Sequence, residues 1–496
     1  MKKQVYNPFL PLNEYVPDGE PHVFGNRVYL YGSHDEAQSD RFCVRDYTVW
    51  SAPVDNLSDW TCHGVSYKKS QDKRSQDGRP PEKYPDYYAP DCVRGNDGRY
   101  YLYYVAMGPN VHAFGPMSVA VSDKPEGPFE YLGDIRNPDG TPLLTYLTND
   151  PAVINDNGKI YMYYGWGLGF DFRSPLLGWY FRWVESLIFK RSIKEIKETK
   201  PSIMNCVCVE MEDDMLTIKG DIKPVLDSKD TAKRGSEMYK HPFFEAASIR
   251  KFGDLYYLVY SSGTNNELAY ATSRYPDRDF EYRGVIVSNS DLGYKGNKKR
   301  KNLSGTIHGG IECINGQYYI FYHRCTHNTD FSRQACAEPI NILPDGTIEQ
   351  VEITTQGLNC KPLLSKGAYP AAICCHLYGR KMARVPGVKH RERYRCVYES
   401  DGEVYIKNLD NGSIVGYKYF DFWGERSLKI VYRGTASGKL LVKTDENGEA
   451  LAEIPIAPSR EWTTTGATAA FTKGKGALYL CFEGRGKLDL LQLEFL

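Results

Sequence analysis

The sequence predicts an all-β protein, a five-bladed β-propeller followed by a β-sandwich. Two observations carry this. A short aromatic strand behind a glycine turn recurs five times between residues 25 and 322. Beyond about residue 365 that repeat stops, and short runs of alternating apolar and polar residues replace it. The chain has 39 Tyr against 20 Phe, an excess that favours strands and amphipathic surfaces over purely apolar cores.

The five repeats begin at Gly25, Gly98, Gly158, Gly253 and Gly316. The strands that follow read Arg27-Val28-Tyr29-Leu30-Tyr31, Tyr100-Tyr101-Leu102-Tyr103-Tyr104, Ile160-Tyr161-Met162-Tyr163-Tyr164, Tyr256-Tyr257-Leu258-Val259-Tyr260 and Tyr318-Tyr319-Ile320-Phe321-Tyr322. A glycine turn before β-branched and aromatic residues is a hairpin signal. Units of about 45–60 residues repeated this way suggest blades, each a four-stranded sheet around a central channel. The longer step between Gly158 and Gly253 marks an insertion at about 171–235 within a catalytic region spanning 1–365.

Polar residues precede each turn at nearly constant distance. Asp18 and Asp91 lie seven residues before their glycines; Asp150, Glu245 and His308 lie eight before theirs. The first strand of a propeller blade lines the channel, so four carboxylates and an imidazole are expected to converge at one end of it. Singly, each is an ordinary turn or cap residue. Together they form a cluster of like charges that raises pKa values, and such clusters mark catalysis or a cation.

These residues carry a resemblance to glycoside hydrolase family 43, five-bladed propellers acting mainly on arabinose- and xylose-containing glycans. The motifs are Asn7-Pro8, Pro17-Asp18-Gly19-Glu20-Pro21-His22, Ala89-Pro90-Asp91, Asn149-Asp150-Pro151-Ala152-Val153, Phe244-Glu245-Ala246-Ala247, His308-Gly309-Gly310 and Tyr322-His323-Arg324. The resemblance covers roughly residues 5–350. It implies that Asp18 is the general base that deprotonates water and Glu245 the general acid that protonates the leaving oxygen. Asp150 raises the acid's pKa and orients it. Inversion needs one ionised and one protonated carboxyl about 6.5–9.5 Å apart, so that a water fits between. A third carboxylate near Glu245 disfavours its ionisation.

The resemblance also implies that His308 meets a calcium ion in the channel through the ion's water shell, because calcium prefers oxygen ligands. The alternative is a histidine bonded to water alone. No organic cofactor is implied. Asp91 is expected to contact substrate or to support residues that do; Tyr88 stands where the family has Trp. Arg333 resembles an arginine that reaches sugar hydroxyls, its alternative being a salt bridge to Glu338. His34, Trp166 and Phe244 are candidate pocket walls, with core packing as the competing role.

Residues 171–200 carry an aromatic insertion, with apolar positions 180, 184, 187 and 188 spaced for an amphipathic helix. It suits a helix packed on the rim, extra sugar subsites, or an interface in a homo-oligomer. Residues 366–496 read as a sandwich. Tyr417–Asp421, the Leu428 strand, Asp445-Glu446-Asn447-Gly448 and Trp462 resemble carbohydrate-binding module family 6. Trp423 and Trp462 are the candidates to stack on sugar; for Trp462 the alternative is the core.

Charge gives no support to nucleic acid or membrane partners: 62 Lys+Arg balance 62 Asp+Glu. Thirteen cysteines without CxxC spacing fit reduced thiols. The start lacks an apolar signal segment. A cytoplasmic address is the expectation, with small oligosaccharides as substrate. The resulting reading is an inverting, exo-acting glycosidase that releases terminal α-L-arabinofuranose or β-D-xylose from plant-derived oligosaccharides. The alternatives are galactose- or arabinan-derived substrates, or a non-catalytic carbohydrate-binding protein.

Overall fold

The computed structural model describes residues 4–496 except 77, 79, 108–114, 170, 172, 174–177, 200–201, 265, 384–385 and 391–392. Part of the expected aromatic insertion, including Leu176 and Leu177, therefore lies outside the described residues. The chain is all-β in character. Each predicted repeat folds as an antiparallel sheet whose first hairpin turns at the predicted glycine. The first sheet holds β1 (Glu20–Phe24), β2 (Arg27–Tyr31), β3 (Tyr47–Pro53) and β4 (Thr61–Tyr67). The second holds β5 (Asp86–Arg94), β6 (Tyr100–Met107), β7 (Ser118–Ser122) and β8 (Glu130–Asp134). The third holds β9 (Ala152–Asp156), β10 (Lys159–Tyr164), β11 (Cys206–Met211) and β12 (Ile218–Leu226). The fourth holds β13 (Phe243–Phe252), β14 (Leu255–Ser262), β15 (Glu267–Ser273) and β16 (Glu281–Ser288). The fifth has β17 (Ile311–Ile314), β18 (Gln317–Arg324) and β19 (Gln334–Ile340).

The five sheets are arranged in a cycle. The first strands β1, β5, β9, β13 and β17 contact one another in that order, and β17 also contacts β1. Each neighbouring pair of sheets shares one apolar core. Tyr31 and Tyr47 meet Leu102 and Tyr104 between the first and second; Tyr103 meets Met162 and Val207 between the second and third. Tyr163 meets Ile249 and Leu258 next, then Val259 and Leu268 meet Ile320 and Tyr322. Between the fifth and first, Phe321 and Ala335 meet Leu30 and Trp50. Buried aromatic side chains therefore face neighbouring sheets, while the alternate residues of each first strand face the axis. The N-terminal segment runs along β19: the Phe9 amide donates to Ala335 O at 3.2 Å, and Asn7 exchanges bonds with Ala337. That ties the segment leading into the first sheet to the outer strand of the last.

Two six-stranded sheets follow. One runs Leu363–Leu364, Ile414–Phe422, Gly474–Arg485, Ser437–Lys443, Ala452–Ile456, with His376–Tyr378 also on Ile414–Phe422. The other runs Cys396–Ser400, Glu403–Leu409, Leu488–Phe495, Glu425–Gly434, Ser459–Ala470, with Gly367–Pro370 on Leu488–Phe495. Their inner faces share one core that includes Leu440, Phe482, Ile430 and Leu490. Polar contacts join this part to the five sheets: Lys301 to Glu446, Lys418 to Glu352, and the Tyr15 hydroxyl to Glu399. Trp423 is exposed. Trp462 donates to Glu403, and the Arg433 guanidinium covers its ring at 4.2 Å.

The insertion contains a helix, Gly178–Phe189. Trp179, Tyr180, Trp183, Leu187 and Ile188 are exposed, and Glu185 is buried, which disagrees with a helix packed on the rim by its apolar face but not with the subsite or interface alternatives. Polar bonds hold the segment: Ser186 donates to Arg191 O, and Arg191 pairs with Leu144 O and Glu195. No helix among the described residues is long and apolar enough to cross a membrane. All thirteen cysteines are free thiols.

Candidate active site

A cavity of about 360 Å³ opens at one end of the axis, lined by Asp18, Asp150, Glu245 and His308 together with Tyr88, Trp166, Phe244 and Arg333. The local backbone explains how three carboxylates from three sheets meet there. Asp18 and Asp150 sit two residues before β1 and β9, and Glu245 is the third residue of β13. Asp18 and Asp150 have φ values of 56° and 44°, in the left-handed region. Holding a non-glycine residue there costs on the order of 1 kcal/mol. Beside Glu245 the ladder is irregular, with register shifts on both sides of it and φ of 65° at Ala246.

The three carboxyls have different surroundings. Asp18 Oδ1 accepts from Arg333 Nη1 at 2.8 Å and lies 3.3 Å from His323 Nδ1. Burial alone would raise Asp18, but the Arg333 guanidinium, aided by His308, holds it below the ordinary carboxylate range. Arg333 is fixed in turn by a two-pronged pair with Asp35, at 2.8 and 3.1 Å. The predicted alternative for Arg333 does not occur. Glu338 bonds Asn7, Tyr322 and Thr354 instead.

Glu245 has the opposite setting. Its Oε2 accepts from Trp166 Nε1 at 2.8 Å. Burial, with Asp150 adding repulsion, pushes it up to about 8. Asp150 accepts from the Ala246 amide at 2.9 Å, the residue after Glu245. Burial raises Asp150 to about 6, against the pull of His308. At neutral pH the cavity therefore holds two ionised carboxylates, Asp18 and Asp150, and one protonated carboxyl, Glu245, in a shared apolar wall of Tyr88, Phe244 and Trp166. This is the division that acid–base hydrolysis of a glycosidic bond needs.

His323 is neutral. Burial pushes it down to about 3, and the Asp18 amide donates to its Nδ1 at 3.2 Å. His308 is cationic. Burial opposes its charge, but Glu20, Asp150 and Asp18 raise it to about 9. Its Nδ1 lies 4.0 Å from Asp18 and 3.9 Å from Asp150, and its Nε2 faces Glu20 at 3.6 Å.

Two sequence expectations are corrected. Asp91 does not line the cavity. It lies deeper, fully buried, with Oδ1 2.6 Å from His22 Nε2 and Oδ2 accepting from the Val153 amide at 2.7 Å. The first hairpin of the second sheet closes through a longer loop, residues 95–99, than the two-residue loops of the other four sheets, so counting back from Gly98 stops short of the rim. Tyr88 and Ala89 occupy the rim level in the second sheet. His34 does not line the cavity either; its Nδ1 lies 2.8 Å from Asp46 O. The next residue, Asp35, matters more because it holds Arg333. Sequence reasoning missed Asp35, Phe42 and His323. Phe42 lines the cavity and stacks under the Arg333 guanidinium at 4.9 Å. Tyr322-His323-Arg324 carried a motif signal for His323; nothing local distinguished Phe42.

The expected calcium is not matched by the side chains along the axis. Glu20, His22 and Asp91 bring one ligand atom each within 4.8 Å of one another, the closest grouping of this kind among the described residues. Calcium takes six to eight oxygens. Here one ligand is an imidazole, both Asp91 oxygens are bonded, and Glu20 Oε2 accepts from Ser248 and from Arg250. The Arg250 guanidinium lies 3.1 Å from Glu20 and 3.2 Å from His22, where it would repel a divalent ion.

Comparisons with known proteins place the chain in a family. The sequence profile of glycosyl hydrolases family 43 matches residues 6–172 and 188–348. A xylosidase/arabinosidase of Thermoclostridium stercorarium is 41% identical over 99% of this chain and 98% of its own length. Xylosidase/arabinosidase 43A of Humicola insolens is 29% identical over 68% of this chain and 96% of its own. Among solved structures, a family 43 β-xylosidase/α-arabinofuranosidase from a compost microbial metagenome, in complex with xylotriose, is 29% identical. It superposes with a TM-score of 0.50, covering 69% of this chain and 96% of that one. The chain belongs to glycosyl hydrolases family 43 and is a glycosidase.

Proposed function

We propose that this chain is an inverting, exo-acting glycosidase that releases terminal α-L-arabinofuranose or β-D-xylose from small oligosaccharides. Asp18 is the base that takes a proton from the attacking water. Glu245 is the acid that protonates the leaving oxygen, and Asp150 keeps it protonated. The observation that carries the reading is the opposite tuning of two carboxyls in one cavity: Arg333 holds Asp18 ionised, while burial and Asp150 push Glu245 up to about 8. The xylosidase/arabinosidase names of the relatives support the sugar class. A cavity of about 360 Å³, at the small end of the ~300–1,000 Å³ typical of ligand pockets, suits a terminal sugar better than a polymer laid across the surface.

The same reading takes the five sheets as propeller blades in a catalytic domain of residues 1–365, supported by the cyclic contacts of their first strands. It takes 366–496 as a sandwich resembling a carbohydrate-binding module, supported by the two sheets on one core; Leu363–Leu364 already joins that core. A cytoplasmic location and oligosaccharide-sized substrates belong to this reading too.

The test is turnover of 4-nitrophenyl α-L-arabinofuranoside and β-D-xyloside, with NMR of the first-formed product. Inverted anomeric configuration is expected. Retained configuration overturns the roles given to Asp18 and Glu245, because a nucleophilic carboxylate would then be required.

A further inference from the structure

Below the cavity lies a second level of the axis with no part in the acid–base division. Its residues are Glu20, His22, Asp91, Ser248, Arg250 and Glu312. On β13, side chains alternate, so Ile249 enters the core while Ser248 and Arg250 face the axis. Arg250 is buried among three carboxylates. Its Nη2 donates to Glu20 Oε2 at 3.1 Å and to Pro21 O at 2.6 Å, and its Nη1 donates to Ile249 O at 2.7 Å. Nη2 also lies 3.2 Å from His22 Nε2, whose ring pairs with Asp91 at 2.6 Å. Its Nε faces Glu312 Oε2 at 3.7 Å. A buried guanidinium is tolerated where its N–H groups meet acceptors and its charge is matched; this level matches the charge and gives Nη1 and Nη2 acceptors, while Nε has no acceptor within hydrogen-bond distance.

The same level is joined to the cavity. Glu20 Oε2 bonds Arg250 and Ser248, and its Oε1 faces His308 Nε2 at 3.6 Å. The other nitrogen of His308 lies between Asp18 and Asp150. Arg250, Glu20 and His308 thus form one line from the lower level to the catalytic carboxylates. The line has little room for rearrangement: a Cβ on Gly310 would come within 2.2 Å of Ser248 Oγ and 2.8 Å of Glu20 Oε2.

We propose that Arg250 is the built-in cation of this axis: its guanidinium takes the place of a metal ion among Glu20, His22, Asp91 and Glu312, and through Glu20 it positions His308 beneath Asp18 and Asp150. Arg250 is a positioning residue; it touches neither substrate nor reacting atoms. The inference rests on the glycosidase reading for its kinetic consequences. Its structural consequence is independent of turnover: the full chain neither needs nor binds a divalent ion on the axis.

The experiment compares wild type and Arg250→Ala, each treated with chelator and then titrated with calcium chloride. For wild type, chelation and calcium leave Tm and kcat/KM unchanged, and titration calorimetry detects no stoichiometric calcium. Arg250→Ala leaves Glu20, Asp91 and Glu312 around an open space. Its kcat falls on the order of tenfold to a hundredfold, because His308 is no longer held, while KM changes little. Calcium raises both its Tm and its kcat. Arg250→Lys keeps the charge and stays calcium-insensitive; it also provides the comparison if the alanine variant does not fold. Stoichiometric calcium on wild type, or a wild-type Tm that falls on chelation and returns with calcium, overturns the proposal. An Arg250→Ala variant with wild-type kcat overturns the positioning role. Absence of turnover by untreated wild type would count against the glycosidase reading instead, leaving the calcium result on Tm to be read separately.

Discussion

The two levels of the axis use the same residue types to opposite ends. In the lower level the charges are neutralised in place: Glu20 has Arg250 and Ser248, and Asp91 has His22 and two backbone amides. In the upper level the balance is uneven. Asp18 has the guanidinium of Arg333, whereas Glu245 has one indole N–H and a carboxylate neighbour. Matched charge makes a stable polar plug, because buried charges are tolerated when compensated. Withholding a partner from Glu245 keeps a proton on it where water would otherwise take it. Chemistry is found at the level where compensation is incomplete.

Removing the base should have the largest effect. Asp18→Asn keeps the shape but cannot accept a proton, and kcat/KM is expected to fall about 10²–10⁴-fold in a pentoside assay. Next is Glu245→Gln. Loss of the acid should cost about 10²–10⁴-fold on natural linkages and far less on 4-nitrophenyl glycosides, whose leaving group needs little protonation; rates on the two substrate types check this.

Asp150→Asn breaks the asymmetry directly. With one negative charge gone, Glu245 ionises more easily, so the alkaline limb of the kcat/KM profile should move below the wild-type value near 8. Arg333→Met should act on the other limb. Without the guanidinium Asp18 is no longer held low, and the acid limb should move to higher pH. That variant also leaves Asp35 buried with two backbone amides but no counter-charge, a loss of up to about 3–5 kcal/mol in stability readable by denaturant melts.

The smallest effect is on stability at Glu245 itself. Its folded-state pKa is raised above the unfolded value, so the native state binds more protons, and its contribution to stability falls as pH rises from about 4.5 towards about 8. Glu245→Gln removes that penalty. Its Tm should exceed wild type by a few °C, on the order of 2–4 °C per kcal/mol, above pH 8, with the gain shrinking towards pH 4.

Much of this comparison was legible in the sequence. The glycine-turn repeat located all five first hairpins, and the residues upstream of the turns located Asp18, Asp150, Glu245 and His308 at the cavity. The failure at Asp91 has a physical cause: the hairpin loop of the second sheet, residues 95–99, is longer than the two-residue loops of the other four, so the same count back from its glycine ends nearer the turn. Arg250 escaped notice because a lone arginine in a strand normally reads as a solvated face; only the alternation of Ile249 into the core turns it onto the axis. Asp35 and Phe42 lie in the irregular stretch before β3, where no period exists to place them. The helix Gly178–Phe189 shows the converse, since apolar spacing was present but polar anchors at Ser186 and Arg191 decided which face is buried.

The pH dependence of kcat/KM for Glu245→Gln and wild type, on a natural-linkage pentose oligosaccharide whose leaving group needs the proton, tests the central claim most directly. The wild-type profile is expected to fall above about pH 8 as Glu245 loses its proton, and the variant is expected to lose that alkaline limb while keeping the acid limb set by Asp18. An alkaline limb that persists unchanged in Glu245→Gln would contradict the assignment, because some other group would then hold the essential proton.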